Sequence, residues 1–76
     1  MNKEVEQALQ KYLDQHQPAT IHGTAKRIAM LIWMEEHLRC VINLLESLVK
    51  AGLCRATGSI ESKDRTYLLD HTAFAK

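Results

Sequence analysis

The residues with the most specific chemistry in this sequence are an arginine and an asparagine, Arg39 and Asn43. They stand four residues apart, so on a helix they project from the same side, one turn apart. An arginine can bridge two acceptors on guanine and an asparagine amide can pair with adenine, so this spacing suits the reading of neighbouring base pairs. A solvated helix face of mixed charge uses the same residue types, and residue type alone leaves both interpretations open.

Five other cations carry the charge needed to contact phosphate groups. They are Lys26, Arg27, Arg55, Lys63 and Arg65. Basic side chains that neutralise phosphates displace counterions, so the binding they support weakens as salt is added. The charge of the whole chain argues the other way, because ten basic and nine acidic residues give a formal net charge of +1. Nucleic-acid-binding domains usually carry a basic excess, so scattered surface cations are the alternative interpretation.

Catalytic, metal and cofactor chemistry is not indicated by any pattern of residues. Glu35 and Glu36 are adjacent, so on a helix they point to different sides, and the sequence contains no Gly-rich phosphate loop. Its 76 residues also leave little room for a dry pocket of enzyme size. The histidines are spread along the chain at spacings that predict no metal site: His16, His22, His37 and His71. We therefore expect neither an enzyme nor a bound cofactor or metal.

The two cysteines, Cys40 and Cys54, are interpreted as reduced thiols. They lack the CxxC spacing, and small secreted domains held by disulfides normally use four or more cysteines. Cys40 is expected on the exposed side of a helix, which leaves its redox activity open, and Cys54 is expected to be packed. The first twenty residues contain no apolar stretch like that of a signal peptide, and no apolar run is long enough for a bilayer. A cytoplasmic protein without a membrane partner is expected.

Three helices are predicted to position these side chains, over residues 3–16, 24–33 and 35–51. In each segment the apolar residues recur at helical spacing. Gln17-Pro18 ends the first helix, because the residue before proline is pushed out of the α region. Thr24 can cap the second helix, and Gly52 suits the left-handed position that closes the third. A short strand over 19–22, interrupted by Gly23, can separate the first two helices.

A two-stranded hairpin is predicted over residues 53–69. Its two halves, 53–57 and 65–69, are rich in side chains that favour β-structure, and a polar loop that starts at Gly58 joins them. The tail, 70–76, is either frayed or a last turn of helix. The sequence as a whole therefore predicts one α+β domain over residues 1–76.

This order of elements resembles the winged helix-turn-helix superfamily. The segment Thr24-Ala25-Lys26-Arg27-Ile28-Ala29 resembles the start of the second helix in such domains. The run from Leu45 to Leu53, followed by the basic residue Arg55, is similar to a recognition helix that leads into the first wing strand. Arg65-Thr66-Tyr67-Leu68 resembles the second wing strand. The resemblance spans roughly residues 3–69 and is nearest to small single-domain bacterial transcriptional regulators. It departs before the third helix, where Trp33-Met34-Glu35-Glu36-His37 replaces the usual glycine-containing turn.

The resemblance implies a DNA-binding transcriptional regulator that reads duplex DNA with helix 35–51 and a β-hairpin wing. The outward side of that helix is expected to carry Glu36, Arg39, Cys40, Asn43, Glu46 and Ser47. Arg39 and Asn43 would then read bases, while the backbone would be held by Lys26, Arg27, Arg55, Lys63 and Arg65. A domain this small has limited affinity, so a homodimer or a protein partner is expected, with dimer surfaces at 1–12 and 71–76.

The alternative is a winged helix that serves as a protein-interaction module without DNA binding. The near-zero net charge favours it, as do Glu35 and Glu36, because carboxylates at the start of the third helix would meet phosphate groups. Its mark would be an exposed apolar patch formed by Met30, Trp33 and Met34.

Overall fold

The computed structural model describes residues 2–74 and has an α+β architecture, with three α-helices and a three-stranded antiparallel sheet. The helices are α1 (Asn2–Gln15), α2 (Ala25–Leu31) and α3 (Leu38–Lys50), and a 3₁₀ turn at Glu35–His37 leads into α3. The strands are β1 (Thr20–Thr24), β2 (Arg55–Thr57) and β3 (Thr66–Asp70). The fold class expected from the sequence, α+β, is confirmed at this level.

The core lies where the apolar sides of the helices meet the inner face of the sheet. On α1, Val5, Leu9 and Leu13 recur every fourth residue and are buried, as the helical period predicts. Helix α3 contacts both α1 and α2, and its buried residues are Val41, Leu44, Leu45 and Leu48. This packing turns the other side of α3 toward solvent.

The sheet has the strand order β1-β3-β2, so the last strand lies between the other two. Ile21 pairs with Leu69, and Tyr67 is paired with Ala56 on one side and Gly23 on the other. These residues form the inner face, because side chains alternate between the two faces of a strand. The outer face is exposed and contains Leu68 flanked by two paired residues, His22 and Arg55.

Strand β1 is longer than the sequence indicates, because Gly23 continues it rather than interrupting it. Gly23 pairs with Tyr67, and the aliphatic part of Arg27 packs where a side chain at residue 23 would project, 3.4 Å from an ideal Cβ position. Glycine therefore leaves room for the arginine stem. Thr24, the last residue of β1, also caps α2 as predicted, since its hydroxyl accepts from the N–H of Arg27.

Helix α2 ends at Leu31, before the predicted boundary at residue 33, because Trp33 adopts a left-handed backbone conformation with φ 60°. The N–H of Met34 donates to the carbonyl of Ala29 (2.8 Å), and the N–H of Trp33 donates to that of Met30 (3.2 Å). This pair of bonds is a Schellman motif with tryptophan at the position where glycine is usual. The break between the second and third helices is therefore made without glycine or proline.

Helix α3 ends in the same motif with the usual residue. Gly52 has φ 78°, the N–H of Leu53 donates to the carbonyl of Leu48 (2.9 Å), and the N–H of Gly52 donates to that of Val49 (3.1 Å). The expectation for Gly52 is confirmed. The predicted helix 35–51 is shorter as an α-helix, since its first turn is the 3₁₀ turn.

After α3 the chain forms the antiparallel pair β2–β3, joined by the loop 58–65. Strand β2 is shorter than the predicted 53–57, because residues up to 54 complete the end of α3. The tail is not frayed over the described part: residues 71–74 form turns, and the N–H of His71 donates to the carbonyl of Ala19 (2.9 Å). Residues 1, 75 and 76 belong to the predicted tail or to the surfaces expected for a dimer, and they lie outside the described part.

Candidate nucleic-acid interface

Helix α3 presents one solvent-facing strip of polar side chains. The exposed residues recur at helical spacing: Arg39, Asn43, Ser47 and Lys50. The structure thus brings the two predicted base-reading residues to the same open side. Lys50 adds a cation that the sequence analysis did not single out, although continuing the same helical period would have found it.

The helical period predicts that Glu46 faces outward, but in the structure it does not. Its carboxylate accepts two hydrogen bonds from the guanidinium of Arg65, Nε to Oε2 at 2.7 Å and Nη2 to Oε1 at 3.0 Å, and a third from the hydroxyl of Tyr67. The side chains of Arg65 and Glu46 are only 15% and 17% exposed. Its partners, Arg65 in the loop 58–65 and Tyr67 on β3, hold the Glu46 carboxylate on the sheet side of α3. Cys40 likewise departs from the outward side, because it is half-buried against the core.

The pKa values of Glu46, Arg65 and Tyr67 are shifted in the directions expected for an ion pair with a hydrogen-bonded phenol. The hydrogen bond from Arg65 lowers the pKa of Glu46, and the same bond raises the pKa of Arg65. Burial raises the pKa of Tyr67, and its hydrogen bond to Glu46 raises it further. The pair therefore stays charged and the phenol stays protonated at neutral pH. A charge-assisted bidentate contact of this kind ties the end of the loop 58–65 to α3 in one orientation.

Arg65 also holds the loop 58–65, since its Nη1 donates to the carbonyl of Gly58 (2.7 Å). Each of the three guanidinium nitrogens thus donates to a group of the protein itself. Its predicted contact with phosphate stays a prediction, but the geometry gives Arg65 a positioning role for the loop.

Three of the five predicted phosphate contacts, Lys26, Lys63 and Arg65, line one groove. Lys26, at the start of α2, and Lys63, in the loop 58–65, line a groove of about 420 Å³ with the apolar side chains of Leu38, Ile42 and Ile60. Ile60 is 66% exposed at the rim. This Lys26–Lys63 groove lies beside the first turns of α3, next to the strip that begins with Arg39.

The other two cations do not line this groove. Arg27 is exposed, but its stem lies over Gly23 of β1. Arg55 projects from the outer face of the sheet, opposite Leu68, and borders a hollow with Asp70. That hollow is at the end of the sheet away from the loop 58–65, since Thr57 and Thr66 form the pair next to the loop.

The predicted protein-interface residues are exposed to very different degrees. Met30 is 51% exposed and Trp33 is 83% exposed, whereas Met34 is half-buried and packs against the core. Trp33 borders a second groove, of about 490 Å³, that runs between α1 and the end of α2. Of the three residues expected to form an apolar patch, Met30 and Trp33 are therefore exposed and Met34 is not.

The cysteine Cys54 and possible metal ligands were the other candidates for chemistry among the described residues. Cys54 is buried as expected, and burial raises the pKa of its thiol. Within residues 2–74, no group of three or more His, Cys, Asp or Glu side chains is placed to hold a metal ion. Over the same described range, no helix has the length and apolar character to cross a bilayer.

Comparison of the chain with models of protein families, with curated proteins and with solved structures finds no match. The geometry of the chain itself is therefore what a functional assignment has to rest on.

Proposed function

We propose that the chain is a winged-helix DNA-binding domain that acts as a transcriptional regulator. The order of elements supports this, since helix, strand, helix, helix and two strands follow one another, and β3 lies between β1 and β2. In that fold the third helix enters the major groove, and the β2–β3 pair is the wing. The protein would be cytoplasmic and would bind duplex DNA.

The observation that carries the proposal is the strip on α3 with basic side chains on it and beside it. Arg39, Asn43 and Lys50 share the exposed side of the helix, and the Lys26–Lys63 groove adjoins its first turns. Glu46 is the carboxylate that would have opposed DNA in the middle of α3, and Arg65 neutralises it. The local charge is therefore more favourable to phosphate than the net charge of the chain.

The residues on and beside α3 would make two kinds of contact, some with base edges and others with the DNA backbone. Arg39 and Asn43 would read base edges, while Lys26, Lys63 and Lys50 would contact phosphates on either side. Glu35 and Glu36 precede the strip on the 3₁₀ turn and would repel phosphate there, so the duplex would contact α3 from Arg39 onward. Arg65 would act indirectly, by holding the wing loop against α3.

Selection from a pool of random duplexes tests the proposal. The chain is equilibrated with the pool at low and at moderate salt, and the retained duplexes are sequenced. We expect retention that weakens as salt is added, together with enrichment of a short shared sequence. The absence of any retained duplex at low salt would exclude DNA binding, and retention without enrichment would exclude base reading by Arg39 and Asn43.

A protein-interaction module is the second candidate, and the exposure of Trp33 favours it. A tryptophan this exposed at the end of a helix suits a side chain that anchors a protein interface, where tryptophan is enriched. The substitution Trp33→Ala distinguishes the candidates, because it would abolish partner binding but leave a DNA-facing strip on α3 intact.

A further inference from the structure

We propose that Trp33 joins two copies of this chain, each inserting its indole into the groove between α1 and the end of α2 of the other. This inference rests on the second candidate function and names its partner. It does not require DNA binding, because Trp33 lies beyond the last turn of α2 and Lys26 lies at its first turn. A helix of seven residues separates them by about 10 Å.

The backbone at Trp33 is the first part of the argument. Its φ of 60° places a bulky residue in the left-handed region, while the matching position after α3 is filled by Gly52. Side chains other than glycine and asparagine are disfavoured there, and such outliers persist where they serve a function. The conformation directs the indole outward, 83% exposed, rather than into the core. Both features are explained if the indole is buried in a complex.

The groove beside Trp33 is the second part. It is lined by the apolar side chains of Ala8, Tyr12 and Leu31, and its rim carries Lys11 and His16. The rings of Tyr12 and His16 stack at 4.3 Å between centroids, and Nδ1 of His16 lies 2.8 Å from the carbonyl oxygen of Tyr12. The groove therefore offers a preformed aromatic wall, against which an indole packs well.

Shape selects a second copy as the occupant. A two-fold interface uses the same surface on both chains, so that surface must contain a projecting group and a cavity that accepts it. Trp33 and the groove adjoin each other on one side of the molecule, which meets this requirement.

Charge selects the same occupant. Glu35 and Glu36 follow closely after Trp33 and are exposed, whereas the rim of the groove carries the cation Lys11. Insertion of Trp33 into another copy would bring its two carboxylates toward that basic rim, and the two-fold axis would repeat the contact. Opposite charges on the two halves of one surface favour a self-complementary pair.

Sedimentation of the full chain across a dilution series, with tryptophan fluorescence read on the same samples, tests the inference. Trp33 is the single tryptophan of the sequence, so the emission reports on this indole alone. We expect a monomer–dimer equilibrium in which the emission shifts to shorter wavelength as the dimer forms. A chain that stays monomeric up to about 1 mM overturns the inference, as does a dimer whose tryptophan emission does not change.

Variants locate the interface. Trp33→Ala should weaken association by about thirtyfold, as truncation of an aromatic anchor does. Leu53→Ala is the matched control, since Leu53 is a large apolar side chain that is 47% exposed but does not line the groove, and it should leave association unchanged. Circular dichroism establishes that both variants are folded. Dimerisation of Trp33→Ala with unchanged affinity overturns the inference.

A charge exchange tests the predicted orientation. Lys11→Glu should weaken association by about fivefold or more, and adding Glu35→Lys should restore it. Weakening without recovery in the double variant overturns the proposed pairing. DNA retention by a variant that is wholly monomeric leaves the proposed function standing, and loss of retention by an intact dimer contradicts the proposed function alone.

Discussion

The carboxylate of Glu46 determines which charges near α3 are available to a ligand. It accepts hydrogen bonds from Arg65, the last residue of the loop 58–65, and from Tyr67 on β3. The pair removes a negative charge from the middle of the candidate reading helix, and it also commits Arg65 to the protein. Among the cations on or beside α3, those outside such a pair are the ones we expect to act on DNA.

A first prediction concerns this pair. Glu46→Gln should lower the melting temperature at pH 7 by about 4–8 °C, since loss of the partly buried pair costs about 1 kcal/mol. The pKa of Glu46 is lowered in the fold, so its contribution is present above its ordinary value of 4.5 and disappears as the pH falls through the folded value. The difference between variant and wild type should therefore vanish at low pH in thermal unfolding followed by circular dichroism.

Glu36→Gln is the control for that measurement, because Glu36 is exposed on the 3₁₀ turn that leads into α3. Asp70, whose pKa is lowered by the hydroxyl of Thr72, also loses stabilisation in acid, but it does so equally in every variant. A penalty for Glu46→Gln that is as large at low pH as at pH 7 would mean that the pair stabilises through packing rather than charge.

A second prediction concerns base reading. Arg39→Ala and Asn43→Ala should each weaken binding to the selected duplex by about 1–3 kcal/mol and relax the preference at one base pair. Ser47→Ala changes the same strip without removing a bidentate group, and it should have a small effect. Titration against the selected duplex and its single-base variants measures both quantities. Uniform weakening across all duplexes would assign Arg39 to the backbone instead.

The sequence predicted some of these placements and missed others for a physical reason. The helical period places Arg39 and Asn43 on one side, and both are exposed in the structure. Arg65 carries the charge of a phosphate contact, but its partner Glu46 stands nineteen residues away on another element. No local pattern couples two such residues, so only the packed structure reveals the pair.

At the scale of elements, the two helix ends illustrate which boundaries a sequence can mark. Gly52 is readable as a helix end because glycine tolerates a positive φ. Trp33 makes the same turn with no such signal, so the end of α2 and the start of α3 were misplaced by two or three residues. The extension of β1 through Gly23 was missed because it depends on pairing with β3, which is distant in sequence.

A third prediction compares these two ends. Gly52→Ala should lower the free energy of unfolding by about 1 kcal/mol, and the cost is conformational because no atom lies within 4 Å of the added Cβ. Trp33→Asn should raise it by about 0.5–1 kcal/mol, since asparagine tolerates the left-handed region. Urea unfolding is measured at low protein concentration, where self-association does not contribute. A destabilised Trp33→Asn monomer would show that the indole supports its own chain.

For the molecule as a whole, the arrangement of charge carries more information than its sum. A net charge of +1 is nearly neutral, yet Arg39, Lys50 and the Lys26–Lys63 groove occupy or adjoin one side of α3. Arg55 lies instead on the outer face of the sheet, and Trp33 marks a separate surface at the far end of α2. Because these surfaces are separate, the proposed contact with a duplex and the proposed contact with a protein would not compete for the same residues.

The salt dependence of binding separates the cations that touch phosphate from those that do not. Each phosphate contact contributes about one unit to the slope of log affinity against log salt. Lys26→Ala and Lys63→Ala should therefore each reduce that slope by about one and weaken binding to all duplexes alike. Arg55→Ala removes the same charge from the outer face of the sheet, so the slope should not change. If all three variants reduce the slope by the same amount, the charge acts through the overall field of the molecule. Docking through α3 would then lose its electrostatic support.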